Sequence, residues 1–471
     1  MYNHANQYRC TIIRGKSQKE IDDLLPAYAL IISDICPCSR DTFEIQFNEK
    51  LKKYLTADKQ TKKTLDNHRT EIAGKLFGMY YAASQEKDAM VYPSERTLKY
   101  LADNDQPAFF KDVCYKMQFP NGMSKPANAY ELVNNQISIR QYCYLLKVLL
   151  LAKYSNIVLT KSDIGYYVLN NLDVLQRKAT PAEVIEQIVK DKKNGIERKV
   201  HTEGKASSYD VQHINEQINY LELANLVIID DKEVTINPNE METIELFADE
   251  YSAAPMFDCS SYDWDTIEGR KDFSQEWDEY FATLSDVSDK FATSVHALAP
   301  TPTNATDDKK NSVNGNKVEL GDEGEEFIFE YERKRVSAFN ARLANKVIAL
   351  GKQKGLGYDI QSVVAEPGEK AEYVKYIEVK STKRVTAPDI ESTSWLDTLN
   401  ITRNEYIAAQ QHGDFYAIYR VYFTRDGVTV FVMNNLRKKY EDGKVEITPL
   451  TYRVDFSSIS VDTVLDTSIG G

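Results

Sequence analysis

Apolar residues recur at intervals of three and four through much of the first half of the chain. This spacing is clearest over 139–154 and 164–175, and it predicts amphipathic helices. Between about 250 and 320 the pattern gives way to acidic residues with isolated aromatic ones, followed by a stretch rich in Pro, Asn, Thr and Asp. After residue 320 a helical pattern alternates with short apolar runs. The sequence therefore predicts a mainly α-helical N-terminal half and an α/β C-terminal domain with a central mixed sheet.

The C-terminal pattern gives the element order α-β-β-α-β-β. A long amphipathic helix comes first, and the first two strands are joined by the turn Glu366-Pro367-Gly368-Glu369. The predicted helices and strands cover, in order, 323–350, 358–364, 373–382, 400–411, 415–423 and 428–433.

Three helices followed by a hairpin are predicted between residues 160 and 236, which is the order of a winged-helix module. The third helix, over 207–223, would enter the major groove of DNA. Its predicted core stripe is Val211, Ile214, Ile218 and Leu221. The candidate DNA contacts are the basic residues before this helix and polar residues on its other face: Lys192, Lys193, Arg198, Lys199, Lys205, Gln212, His213 and Asn215. The alternative is a module that makes protein contacts, with a polar face that is only solvated.

The net charge of −13 would by itself argue against a nucleic-acid partner. However, residues 230–290 contain 18 acidic and 4 basic residues, and the rest of the chain contains 54 basic and 53 acidic residues. One acidic segment thus carries the whole excess, so the average charge says little about what the other regions bind.

These changes along the chain define the predicted domain boundaries. Residues 1–150 form a helical region with a candidate DNA-binding module, and 151–248 form the winged-helix DNA-recognition domain. Residues 249–317 are an acidic, partly disordered linker, and 318–471 form the α/β domain.

Three residues of the α/β domain combine into a candidate catalytic centre. Glu378 and Lys380 are two apart on a predicted strand, so they share one face of the sheet. If the preceding strand forms an antiparallel hairpin about the Pro367-Gly368 turn, Asp359 lies opposite Glu378. Two carboxylates so near each other favour binding of a divalent cation such as Mg²⁺. A bound Mg²⁺ can activate a water molecule to attack a phosphodiester. The alternative is a surface ion pair on a solvated sheet face.

The motifs around these residues resemble a known family. Gly324-Glu325-Glu326, Gly357-Tyr358-Asp359-Ile360, Glu378-Val379-Lys380 and Thr402-Arg403-Asn404-Glu405-Tyr406 are similar to a PD-(D/E)XK nuclease domain of the NO VEIN C-terminal type. The resemblance covers about 150 residues, from Val318 to roughly Phe456.

The resemblance implies catalytic roles for four residues. Asp359 and Glu378 would bind the metal, and Lys380 would assist the nucleophilic water. A Glu on the first helix often joins the site; Glu325, Glu326 and Glu330 are candidates, and Glu325 is preferred. Residues Thr402 to Glu405 also form a capping box, which explains them at least as well as catalysis.

The resemblance implies a restriction endonuclease that binds double-stranded DNA and cuts with Mg²⁺ (or Mn²⁺ as a substitute), with a cognate DNA methyltransferase and a place in antiviral defence. The long predicted linker between the two halves favours type IIS character, in which the cut lies at a distance from the site. Because one metal site cuts one strand, we also expect a transient homodimer on DNA. One alternative is a modification-dependent or phage-defence nuclease. Another is a DNA-binding regulator with an inert nuclease-like domain.

The chain has neither a signal-peptide pattern nor a long apolar run, which predicts an intracellular protein. The resemblance to restriction enzymes implies a cytoplasmic bacterial one. Six cysteines in 471 residues predict reduced thiols rather than a disulfide framework.

Overall fold

A computed structural model of the chain describes residues 7–13, 17–84, 86, 88–198, 200, 208–298, 320–351, 355–391 and 395–448. Among the helices in this part of the chain, none has the length and apolar character needed to cross a bilayer. The six cysteines all lie in the described residues and are free thiols.

Helices dominate the N-terminal half. In chain order, the α-helices of the described residues are α1 (Gln18–Ile35), α2 (Arg40–Leu51), α3 (Lys62–Asp66), α4 (Glu95–Asp103), α5 (Gln106–Lys116), α6 (Pro126–Asn134), α7 (Gln141–Tyr154), α8 (Lys161–Ile164), α9 (Leu172–Leu175), α10 (Pro181–Lys193), α11 (Ser208–Leu223), α12 (Met241–Asp249), α13 (Ile267–Ala282), α14 (Val295–Leu298), α15 (Leu320–Phe339), α16 (Arg403–His412) and α17 (Leu436–Glu441). Helices α3 and α8 continue as π-helices over Asn67–Leu76 and Gly165–Leu169.

The strands of the described residues form three sheets. They are β1 (Cys38–Ser39), β2 (Tyr80–Ala82), β3 (Met90–Pro93), β4 (Leu159–Thr160), β5 (Val227–Asp230), β6 (Glu233–Ile236), β7 (Ile348–Ala349), β8 (Ile360–Val363), β9 (Val374–Lys383), β10 (Tyr416–Thr424) and β11 (Gly427–Asn434). Two small sheets have the orders β1-β3-β2 and β4-β6-β5, and the C-terminal sheet has the order β11-β10-β9-β8-β7.

Local sequence signals explain where several helices begin. The hydroxyls of Ser17, Ser39 and Ser94 accept hydrogen bonds from backbone N–H groups at the starts of α1, α2 and α4. Thr180 opens α10 with a full capping box to Glu183, and Pro181 occupies the first helical position.

The two small sheets are built in the same way. In each, a short strand follows a long helix (α1 or α7) and pairs antiparallel with the second strand of a later hairpin. Helices lie between that short strand and the hairpin in both cases. The N-terminal half thus contains two modules of matching connectivity, over residues 18–93 and 141–236. The sequence predicted the second in detail and left the first as a helical region with a candidate module.

A single hydrophobic core runs through the N-terminal half, from Cys10 to Phe291. Helix α7 crosses the boundary predicted at residue 150 and contributes buried residues to this core. The predicted division at that position therefore does not separate two cores.

The acidic segment is largely folded, which differs from the prediction. Phe273, Trp277 and Phe281 are spaced by four along α13 and are buried in the N-terminal core, as is Phe291. Aromatic residues that look isolated in the sequence converge on one helix face, and their burial outweighs the acidic composition. The linker prediction is therefore wrong for 249–298, whereas 299–317 lies outside the described residues.

The C-terminal sheet is mixed. Strand β10 pairs parallel with β9, and every other neighbouring pair is antiparallel. Helix α15 ends at Phe339, whereas the sequence predicted a helix as far as residue 350. Residues 348–349 instead join the sheet as its edge strand β7, bonded to β8. One core cluster on α15 packs against one face of the sheet, and a second cluster on α16 and α17 packs against the other.

The two halves make direct polar contacts. Arg425, in the turn between β10 and β11, donates to the Asn225 side-chain oxygen at 2.8 Å and to the Val227 carbonyl at 2.7 Å. Beyond the end of β9, Arg384 donates to Asp23 at 2.7 Å and Thr386 donates to Asp22 at 3.0 Å.

Candidate active site

The β8–β9 hairpin brings two carboxylates face to face. Ile360 pairs with Ile377, so the preceding Asp359 lies opposite Glu378, in the register that the sequence predicts. The Asp359 N–H donates to the Ile377 carbonyl at 2.9 Å, and its carboxylate accepts from the Val379 N–H at 2.7 Å. Two backbone contacts thus fix Asp359 against β9 just before its own strand begins.

Lys380 lies between two carboxylates. Its Nζ is 2.7 Å from Glu378 Oε1 and 3.0 Å from Glu405 Oε2. Glu378 is only 2% exposed, and the Glu405 side chain is 12% exposed. Asp359 and Glu378 come from the hairpin, while Glu405 comes from the first turn of α16 on the same face of the sheet. Three acids and one amine therefore converge on one patch.

The electrostatics of this patch follow from its burial. Burial raises the pKa of Glu378 well above its usual range; Lys380 opposes the shift, and the neighbouring Asp359 and Glu405 add to it. Burial also raises the pKa of Asp359, against the Val379 N–H and the Lys380 ammonium. For Lys380 burial disfavours the ammonium, but Glu378 and Glu405 outweigh it and raise the pKa. Keeping the Asp359 and Glu378 carboxylates charged and close together therefore costs free energy, and a bound cation would reduce that cost.

The first-helix candidates occupy different positions on α15. The Glu325 carboxylate lies against Gly351, since a Cβ on that glycine would come within 2.0 Å of Glu325 Oε2. The neighbouring Leu350 N–H donates to the Asp359 carbonyl at 2.6 Å. Glu330 instead faces Arg333 at 3.5 Å, and both are about half exposed. Glu325 therefore borders the hairpin segment, and its catalytic role stays a prediction.

The donor set fits Mg²⁺ in its ordinary mode of binding. Within the described part of the chain, no group of three or more His, Cys, Asp or Glu side chains is arranged to hold a metal ion. A magnesium site needs fewer protein ligands, because Mg²⁺ keeps several waters and takes one or two carboxylates plus substrate phosphate. Asp359 and Glu378 supply two hard oxygen donors in adjacent, buried positions.

The candidate DNA contacts of the second module are only partly available. Lys193 and Gln212 are exposed, and Asn215 is half-buried. Lys192 donates to the Val158 carbonyl at 2.8 Å and pairs with Asp163, and Arg198 pairs with Asp191 at 2.9 Å. Lys199 and Lys205 lie outside the described residues.

Two assignments on α11 were wrong. His213, predicted to face DNA, is 3% exposed, and its Nδ1 accepts a hydrogen bond from the Ile12 N–H at 3.4 Å. Val211, predicted to face the core, is 43% exposed. The N-terminal segment that contains Ile12 packs over this side of α11, a long-range contact that the local apolar pattern does not record.

Comparisons with known proteins identify the N-terminal half. The family model described as "Restriction endonuclease BpuJI - N terminal" matches residues 2–278, more than half of the chain. The chain belongs to this family. A solved structure of the BpuJI binding domain in complex with pyrene- and phenanthrene-modified DNA is 52% identical, with a TM-score of 0.57; the match covers 60% of this chain and 100% of that one.

The BpuJI N-terminal family match includes both small-sheet modules and most of α13. A second model, "Protein NO VEIN, C-terminal", matches residues 324–433 and confirms the resemblance seen in the sequence. That match contains Asp359, Glu378, Lys380 and Glu405. A search of curated proteins gives no match.

Glu405 is the site residue that sequence reasoning undervalued in this BpuJI-family chain. Its side chain does cap α16, since Oε2 accepts from the Thr402 N–H at 2.9 Å. The same oxygen also faces Lys380. The capping-box pattern located the residue, but only the packing of α16 on the sheet shows its second contact.

Gly357 allows α16 to lie close to the β8–β9 hairpin. Its φ is +78°, and a Cβ there would lie 2.4 Å from the Asn404 carbonyl, next to Glu405. We expect Gly357→Ala to displace the start of α16 and to lower the cleavage rate by up to about 10²-fold. Gly368→Ala is the matched control, because its φ is +85° but open space surrounds it. Equal cleavage rates in the two variants would contradict this role for Gly357.

Proposed function

We propose that the chain is a site-specific, Mg²⁺-dependent DNA endonuclease with a PD-(D/E)XK cleavage domain. The observation that carries the proposal is the buried meeting of Asp359, Glu378 and Lys380 on one sheet face, on a chain whose N-terminal half belongs to a restriction-endonuclease family. Recognition is assigned to residues within 7–298 and cleavage to residues within 320–448.

The residues of the site would divide the work of hydrolysis. Asp359 and Glu378 would hold Mg²⁺, which when bound polarises a phosphoryl oxygen and activates water. Lys380 carries its charge on the same face, where it would orient the attacking water or stabilise charge developing on the phosphate. Glu325 is retained as a candidate first-helix ligand because it borders the segment bonded to Asp359.

The N-terminal half would read the DNA through two winged-helix modules. Their connectivity supports this assignment, because in each a short strand pairs with the second strand of a hairpin that follows a helix. In the second module, Lys193, Gln212 and Asn215 remain accessible on or near α10 and α11. Lys199 and Lys205 stay predicted contacts, outside the described residues. In the first module, Lys62 and Lys63 are exposed at the start of α3, where they would contact phosphates. DNA in the related binding-domain structure is consistent with this role.

Several properties of the complete system follow from the proposed cleavage site. One centre cuts one strand, so a double-strand cut calls for a second copy, which we propose assembles transiently on DNA. A nuclease of this kind also calls for protection of the host sites by a cognate methyltransferase, and would serve antiviral defence by cutting unprotected DNA. The proposed reading residues and the proposed cleavage site lie in different halves of the chain, which favours cleavage at a distance from the recognised site, as in type IIS enzymes.

The test is digestion of a DNA of known sequence by the full-length protein with Mg²⁺, followed by sequencing of the ends. We expect discrete cuts at a fixed displacement from a short recurring sequence, and no cuts in EDTA. Digestion of methylated and unmethylated copies in parallel separates a restriction enzyme from a modification-dependent one. Failure to cut any DNA with Mg²⁺ or Mn²⁺ would instead favour a DNA-binding regulator.

A further inference from the structure

The Lys380 side chain is held from two different elements. Glu378, two residues away on β9, contacts Nζ at 2.7 Å, and Glu405, on α16, contacts it at 3.0 Å. A lysine side chain is a flexible four-carbon stem that carries a compact charge, and a single ion pair leaves it free to swing. Contacts from a strand and from a helix together restrict the ammonium to one position above the sheet.

Glu405 is itself held in place through both its backbone and its side chain. Its backbone N–H donates to the Thr402 hydroxyl at 3.3 Å, and its Oε2 accepts from the Thr402 N–H at 2.9 Å. The helix that carries it is packed on the sheet through the buried Ala408 and Ala409. The carboxylate that faces Lys380 is therefore positioned by the backbone of α16 rather than by solvent.

Another capping box in the chain shows what capping alone looks like. Glu183 makes the same contact to Thr180, with Oε2 at 2.8 Å from the Thr180 N–H, but its side chain is exposed on the surface of α10. The Glu405 side chain is only 12% exposed. Capping thus explains why a glutamate stands at both 183 and 405. It does not explain the buried contact between Glu405 and Lys380 of β9.

We propose that Glu405 is a positioning residue of the cleavage site, which holds the Lys380 ammonium in place from α16. This inference rests on the proposed function, because Lys380 acts on the scissile phosphate or its attacking water. Glu378 can then bind the proposed metal without leaving Lys380 unpaired, because Glu405 still accepts from the Lys380 ammonium. Partners of this kind behind an active group typically change activity by about 10- to 100-fold.

The test compares Glu405→Gln with Glu183→Gln in the full-length protein. Glutamine serves the capping box as glutamate does, so both variants keep the cap and lose one carboxylate charge. We expect Glu405→Gln to lower kcat by about 10- to 100-fold while the KM for DNA changes little. Glu183→Gln is expected to retain the wild-type kcat and KM.

A stability measurement without metal or DNA tests the contact independently of activity. Glu405→Gln, Lys380→Met and the double variant are compared by their thermal unfolding midpoints. We expect non-additive shifts, because each single change removes the same ion pair. Additive shifts together with an unchanged kcat in Glu405→Gln would overturn the proposal. A wild-type protein that cuts no DNA would instead overturn the proposed function, so the two failures are distinguishable.

Discussion

Glu378→Ala and Lys380→Ala are each expected to lower Mg²⁺-dependent DNA cleavage by about 10³-fold or more, while DNA binding stays within about twofold of wild type. The alanine at 378 removes one of two facing carboxylates, and the alanine at 380 removes the cation between the acids. Binding is retained because the proposed reading surfaces lie in the N-terminal half. Cleavage is measured as single-turnover rates on a DNA that carries the recognised site, and binding by gel shift in Ca²⁺ or EDTA.

The turn of the same hairpin offers matched controls. Glu369 and Lys370 are exposed and lie between β8 and β9, outside the catalytic face. Glu369→Ala and Lys370→Ala remove the same charges from the same hairpin, and we expect near wild-type cleavage. Cleavage that survived in both Glu378→Ala and Lys380→Ala would remove the basis for assigning catalysis to this face.

Lys111→Met is expected to lower the free energy of unfolding by about 3–5 kcal/mol, the usual result of leaving one member of a buried ion pair without its partner. Lys111 is fully buried and contacts both carboxylate oxygens of Glu240 at 2.9 Å, together with Thr293 at 3.0 Å. The methionine would leave the buried Glu240 carboxylate without this ion pair, with the hydrogen bonds from Asn225 and Thr243 remaining. Urea denaturation followed by tryptophan fluorescence reports the change, because Trp264 and Trp277 lie in the N-terminal core.

The double variant Lys111→Met/Glu240→Gln is the control for this prediction. It removes both charges, so we expect it to be more stable than Lys111→Met alone, although Asn225 and Thr243 lose a charged acceptor at Glu240. A double variant that is less stable than the single one would contradict this, because it would show that the hydrogen bonds accepted by the Glu240 carboxylate outweigh the cost of its unpaired charge.

The sequence predicted the β8–β9 hairpin and its register correctly because their determinants are local. A Pro-Gly turn sets the centre of the hairpin, and alternation along the strands sets which residues share a face. Asp359, Glu378 and Lys380 could therefore be placed together from the amino-acid sequence alone. The first-helix Glu and Glu405 depend on how α15 and α16 pack against the sheet, and no spacing within one element encodes that contact.

The errors have the same origin. His213 was assigned to the exposed face of α11 because the local pattern there is polar, yet an N-terminal segment about 200 residues earlier in the sequence covers it. The acidic composition of 249–298 suggested a linker, yet six buried aromatic rings anchor that region in the N-terminal core. Long-range packing decided both cases, and a single sequence carries little record of it.

The strand that carries the proposed catalytic residues is also joined to the N-terminal half. Glu378 and Lys380 lie in the middle of β9, and Thr382 and Lys383, at its end, bond to the Asn104 carbonyl at 3.1 Å. Lys383 Nζ also reaches the Thr293 carbonyl. This limits the design of chimaeras with a new specificity. The N-terminal half cannot be exchanged for that of a relative simply by joining the two chains at any loop. The donor half has to bring acceptors equivalent to Asn104 and Thr293, or the end of β9 loses these hydrogen bonds.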